Sequence, residues 1–287
     1  MGLVAPFLVG GNMEYSPIKM QEKLKKYNFD FKKMYGQNFI IDENIINSII
    51  TKSQIDKDTL VIEIGPGAGS LTYKLAEKAK NVICYEIDTK LKDILEDSLN
   101  CYNNVEIIFE DFLKANVVSK IKQYNYKKIY VVANLPYYIT TPIIVKIIED
   151  KIDIDKIVVM VQKEVGERFR ATPGNKNYGS LSVYLNYYFN VRKIMDISRN
   201  IFIPKPNVDS IVVELNKKPS IKFVKNEDLF FKLIRDSFKQ KRKTLKNNLK
   251  DYDLDKINKV LNKYNMDLSI RAEQISIEIF IEIANNL

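Results

Sequence analysis

The segment Glu63-Ile64-Gly65-Pro66-Gly67-Ala68-Gly69 constrains the fold of this chain most. It closes an apolar run, residues 59–64, that reads as a strand buried on both faces. Its glycines permit a tight turn and close backbone approach to a ligand, and Leu71, Leu75 and Ala79 follow at helical spacing. Further strands are predicted over residues 82–87, 105–109, 129–133 and 156–161, with helices over 43–52 (capped by Asp42), 89–99 and 142–150. Strand and helix alternating without an internal repeat predict a parallel, doubly wound α/β sheet. Beyond Gln162 the pattern changes. Helices over 164–170 and 178–189, strands over 191–197 and 208–215, and a wholly helical stretch from Asn226 are expected, with a boundary near 217–225 where Pro219 interrupts.

A glycine turn alone is a weak signal, but Glu86 ends the next strand 21 residues after Gly65, where a carboxylate can take both hydroxyls of a ribose. Dinucleotide enzymes use this geometry and seat a pyrophosphate on the helix N-terminus. Here Thr72 stands where their last glycine is usual, and Glu63 would repel a pyrophosphate while suiting a cation. Asp111, at the third strand's end, can accept from an adenine amino group. These features favour S-adenosylmethionine over a dinucleotide.

The chemical centre falls at Asn134-Leu135-Pro136-Tyr137, where a buried strand stops in an amide, a proline and aromatics. Ligands of open α/β sheets sit beyond the carboxyl ends of the strands. An ordinary strand-to-helix connection is the alternative. The chain has no histidine, which removes histidine bases, triads and metal ligands. Its two cysteines lack metal-ligand spacing, so no metal site is expected and a reduced, cytoplasmic setting is. No apolar run reaches membrane-spanning length. Charge is segregated: residues 53–150 hold 12 basic and 14 acidic side chains, residues 217–250 hold 12 basic and 3 acidic. Such a split suggests a polyanion-binding surface, a lysine-rich proteome being the alternative. Lys25, Lys26, Lys32 and Lys33 could extend it. Lys163 and Glu164 are read as a surface helix start.

The quoted motifs, together with GQNFIID (36–42), YEID (85–88), EDFL (110–113), ANLPYYITTPII (133–144), QKEVGERF (162–169), YGSLS (178–182), FIPKPNVDS (202–210) and FKQKRKTLKNNL (238–249), resemble the ribosomal RNA adenine dimethyltransferases, small-subunit (KsgA) type. The resemblance runs from about Phe29 to Ser276. It implies a Rossmann-like class I methyltransferase domain over residues 16–217 and a small all-helical, RNA-binding C-terminal domain over 218–287. Residues 1–15 are read as a disordered lead or an expression remnant. It implies transfer of four methyl groups to two adjacent adenosines near the 3′ end of small-subunit ribosomal RNA, in free RNA or an assembling subunit, by a monomer. Carried over by position, Gln37, Asn38, Ile40, Glu63, Gly65, Gly67, Glu86, Ile87, Asp111, Phe112 and Asn134 would hold S-adenosylmethionine, and Asn134, Leu135, Pro136, Tyr137 and Phe202 would handle the base. Residues 238–249 read as a helix in which Lys239, Lys241, Lys243 and Lys246 track phosphates while Arg242 points into the interdomain cleft. Competing readings are a large-subunit resistance methyltransferase, which tends to carry NIPY where this chain has NLPY, a non-catalytic RNA-binding assembly factor, and a dinucleotide-dependent oxidoreductase.

Overall fold

A computed structural model describes residues 17–27, 29 and 36–287. The described residues form a seven-stranded sheet in the order β4-β3-β2-β5-β6-β9-β7, from β2 (Thr59–Ile64), β3 (Asn81–Tyr85), β4 (Val105–Ile108), β5 (Lys128–Asn134), β6 (Lys156–Gln162), β7 (Phe189–Ile197) and β9 (Ser210–Lys217). The five strands from β4 to β6 are parallel. This is the parallel arrangement expected for those strands, and two further strands extend it at one edge. There β9 inserts antiparallel between β6 and β7, because it returns through a short connection that no crossover helix spans.

Alternate side chains of each central strand enter different cores. On β2, Leu60, Ile62 and Ile64 face α6 (Thr140–Glu149), whereas Val61 faces α2 (Glu43–Ser53) and α3 (Thr72–Lys78). Asp42 caps α2 as expected, accepting from the Asn44 and Ile45 amides. From β2 the chain moves outward to β3 and β4, and later resumes on the other side with β5. Ligand sites in such sheets lie at this switch point.

Three short elements escaped the sequence reading. Strand β1 (Phe39–Ile40) pairs antiparallel with β8 (Phe202–Ile203), and α5 is Val117–Ile121. Helix α1 is Pro17–Lys26.

The C-terminal helices α9 (Glu227–Ser237), α11 (Leu254–Asn262) and α12 (Ile277–Asn286) share a separate core. That core starts before the expected boundary at 217/218. Helix α8 (Ser180–Tyr188) sends Leu181 and Leu185 into the sheet's core and Val183, Tyr184 and Tyr187 into the C-terminal one.

The predicted helix over 238–249 is not formed. Helix α9 ends at Ser237, residues 239–243 make turns, and α10 is only Leu245–Asn248. Asn248 Nδ2 donates to the Ser237 carbonyl at 2.7 Å and satisfies the helix end, and the Leu245 amide bonds the Ile270 carbonyl, pulling the chain away from the helix axis. Leu245 and Leu249 still reach the core. Arg242 is exposed on a turn, and no helix face directs it into a cleft.

Candidate active site

At the switch point β2 and β5 end side by side. Gly65 (φ +71°) and Gly67 (φ +58°) turn the chain sharply after β2. A Cβ on Gly67 would lie 2.7 Å from Phe39 Cε1, so only glycine lets β1 close on this loop. The Gly67 amide donates to Glu86 Oε2 at 3.2 Å, and the Asp88 amide donates to Glu86 Oε1 at 2.9 Å. The Glu86 carboxylate is thereby aimed, with lone pairs left for a ligand.

Glu63 and Glu86 are both buried, and among the described residues no Lys or Arg pairs with either. Burial pushes Glu63 up to about 8, against the Thr72 and Cys84 side chains, with the neighbouring Glu86 charge adding to the rise. Burial likewise raises Glu86 to about 7, against the Asp88 and Gly67 amides. Two buried carboxylates lacking a cation make this a place for a ligand that brings positive charge and hydroxyl donors.

Opposite stands Asn134, the last residue of β5. Its Nδ2 donates to the Asn38 carbonyl at 2.8 Å. That bond fixes the amide so that Oδ1 remains as an acceptor. The Leu135 amide bonds the Met160 carbonyl, whereas among the described residues no group donates to the Leu135 carbonyl. Pro136 packs over Gly65, its Cδ 3.7 Å from where a Cβ would be, and its carbonyl takes the Ile139 amide and Thr140 hydroxyl. Tyr137 is half-buried, its hydroxyl 2.6 Å from Ser210 Oγ.

These groups line one open cleft, which contains every cofactor residue expected from the sequence together with Asn134, Leu135, Pro136 and Tyr137. The glycine cradle, paired acidic groups and cleft fit S-adenosylmethionine.

Phe202 is not among the lining residues. Its ring, 2% exposed, packs in the layer of Ile40, Ile46 and Val212. Its expected role in handling the base is corrected on this point: β8 is held against β1, and Phe202 is a core side chain. Asp111 lines the cleft while Oδ1 accepts from the Leu113 amide at 3.0 Å.

Two contributors, Asp88 and Tyr138, were missed. The expected cofactor residue Gln37 donates through Nε2 to the buried Asp88 Oδ2 at 2.9 Å, which ties the loop before β1 to the turn beyond Glu86. Tyr138, 52% exposed, covers Gly36 at the rim, and its place directly after Tyr137 was the available signal.

The basic candidates Lys239, Lys241, Arg242, Lys243 and Lys246 are all exposed. Lys25 and Lys26 are also exposed, while Lys32 and Lys33 lie outside the described residues. Lys163 pairs with Asp196 and Glu164 with Arg168, as expected of a surface helix start.

Comparison with known proteins agrees with this geometry. The Staphylococcus carnosus protein named ribosomal RNA small subunit methyltransferase A is 48% identical over 281 residues, covering 95% of each chain. Its Staphylococcus aureus namesake is 48% identical over 274 residues, covering 92% of each. The crystal structure of a dimethyladenosine transferase from Plasmodium falciparum superposes with a TM-score of 0.71 at 29% identity, covering 85% of this chain and 95% of that one. Residues 28–287 match the family model described as ribosomal RNA adenine dimethylase. The chain belongs to the ribosomal RNA adenine dimethylase family.

Proposed function

We propose that this protein is an S-adenosylmethionine-dependent ribosomal RNA (adenine-N6,N6)-dimethyltransferase that modifies two adjacent adenosines in the 3′-terminal hairpin loop of small-subunit RNA. It acts as a cytoplasmic monomer on the assembling small subunit. The observation that carries the reading is the Asn134 amide, pinned through Nδ2 to the Asn38 carbonyl so that Oδ1 stands as an acceptor beside the Leu135 carbonyl.

The exocyclic amine of adenine is a weak nucleophile because its lone pair is delocalised into the ring. Bound S-adenosylmethionine supplies a methyl group on a sulfonium, electrophilic enough that the protein must orient more than activate. Asn134 Oδ1 and the Leu135 carbonyl take the two amine hydrogens and turn the lone pair out of the ring plane. Pro136 stiffens the turn and Tyr137 stacks on the base, which leaves its helix to reach the cleft. Neither acceptor titrates, so the proton released at each transfer leaves to water and no histidine is needed. Glu86 takes the ribose hydroxyls, Asp111 the adenine amine and Glu63 faces the cationic end. Gln37, Asn38, Ile40, Gly65, Gly67, Ile87 and Phe112 form the walls. The exposed lysines and Arg242 of 239–246 track phosphates, so affinity falls steeply with salt.

Incubating the protein with labelled S-adenosylmethionine and unmethylated small subunits, then mapping the label, tests the assignment. Dimethylation of two neighbouring adenosines in the 3′-terminal hairpin is expected. Label in large-subunit RNA would move the protein to the resistance group, and cofactor binding without transfer would make it an assembly factor.

A further inference from the structure

The base clamp has an anchor on the strand that breaks the parallel pattern. Ser210 opens β9, its Cα level with Gln162 of β6 and Ile197 of β7, so the reversed direction of β9 delivers its first residue to the carboxyl end of the sheet beside the cleft. Ser210 is 0% exposed. Its Oγ lies 2.6 Å from the Tyr137 hydroxyl, and among the described residues neither hydroxyl has another hydrogen-bond partner. Stacking needs only an aromatic face, which a phenylalanine would supply equally well. The phenol therefore serves the bond, and the bond fixes the ring's tilt against a rigid strand.

The demand for a fixed ring differs between the two transfers. An unmethylated amine offers two hydrogens, and Asn134 Oδ1 with the Leu135 carbonyl holds the base at two points. In each transfer the amine nitrogen forms its bond to the methyl carbon as the carbon–sulfur bond breaks, both electrons remaining on sulfur, and the surplus proton leaves to water. After the first transfer one N–H remains, so the clamp grips at one point and the base can pivot about it. The stacked ring then becomes the main restraint on the base plane. Resting on the function proposed above, we propose that Ser210 is a positioning residue which, through Tyr137, holds the monomethylated adenine for its second methylation.

The test is to methylate unmodified small subunits with the full-length protein and quantify N6-monomethyl- and N6,N6-dimethyladenosine by mass spectrometry of nucleosides. Ser210→Ala and Tyr137→Phe should each raise the mono-to-dimethyl ratio about threefold to tenfold, the effect of one neutral hydrogen bond. The double variant should go no further than either single one, with cofactor affinity unchanged in all three. An unchanged ratio, effects that multiply in the double variant, or a loss of cofactor affinity in Ser210→Ala would overturn the proposal. Should Ser210→Ala fold poorly, Tyr137→Phe decides alone, since it removes the bond without opening a cavity. Wild-type protein that formed no dimethyladenosine would refute the proposed function instead of the tether.

Discussion

The two ends of the sheet treat a buried glutamate in opposite ways. At the carboxyl end Glu63 and Glu86, 2% and 5% exposed, have hydrogen bonds but no cation, and both are raised far above the ordinary carboxylate range. Glu214, near the amino end, is 0% exposed. Burial pulls it upward, but Arg192, Asn216 and Lys156 together outweigh this and hold it below its usual value. Arg192 Nε lies 2.5 Å from Oε1, and the Lys156 ammonium lies 3.9 Å from Oε2. Lys156 is itself supported by the Ser53 carbonyl at 3.1 Å and the Tyr130 ring at 5.0 Å. A charge neutralised from within belongs to the fold, whereas one left without a counter-charge waits for a ligand. Burial alone does not distinguish them. The partner does.

Substitutions should separate the two ends. Glu214→Ala strands the Lys156 ammonium in the interior and should cost about 3–5 kcal/mol of unfolding free energy, with turnover per folded molecule unchanged. Urea denaturation alongside a methyltransferase assay measures both. A loss of turnover in folded protein would break the comparison. Asn134→Ala should do the reverse. Removing one pre-aimed acceptor should lower turnover about 10²- to 10³-fold, while the melting temperature and most cofactor affinity remain. Near-normal turnover would remove Asn134 from the chemistry. Glu86→Gln sits between the two, since the amide keeps one acceptor but loses the charge. Cofactor affinity should fall about 10- to 100-fold, and the cofactor-free protein should lose about 1–3 kcal/mol, because one of the two backbone amides that Glu86 accepts is left without an acceptor. Calorimetric titration and thermal melts check both halves.

How far this division could be read beforehand depended on whether a short run of chain carried the reason. The strand ends with their acidic residues were legible because each strand, turn and carboxylate lies within a few residues, and all of Glu63, Glu86 and Asp111 line the cleft. Asn134 was legible as a site but not as a fixed acceptor, since its partner, the Asn38 carbonyl, is 96 residues away. Phe202 misled for the same reason. An aromatic before two prolines looks free until β8 pairs with β1 and buries it. The basic stretch was readable as charge but not as shape. It reads as one helix, and only the long-range bonds of Leu245 to Ile270 and Asn248 to Ser237 replace it with a turn. The reversed β9 left no mark in its own sequence, because a strand covered on both faces is apolar in either direction.

Proton linkage gives the smallest effect and the sharpest contrast. Raised to about 8 and about 7, Glu63 and Glu86 stay protonated in the folded cofactor-free protein at pH values where the unfolded chain has released those protons. The stability they contribute is complete below the ordinary carboxylate range and is lost as pH rises towards about 8. Glu214 is lowered, so its contribution is present above that range and disappears as pH falls through its folded value. Glu63→Gln should therefore flatten the decline in stability between about pH 5 and 8, while Glu214→Gln should remove part of the loss on the acid side. Ligand binding reads the same carboxylates a second way. A cationic ligand with a ribose diol favours their ionised forms, so binding near pH 7 must release protons, and affinity should rise from pH 6 to pH 8. Calorimetry in two buffers of different ionisation enthalpy counts the protons directly. Glu86→Gln should abolish most of the release. If the wild-type protein released none, the carboxyl end would already be ionised, and the two ends of the sheet would no longer differ in the way their partners imply.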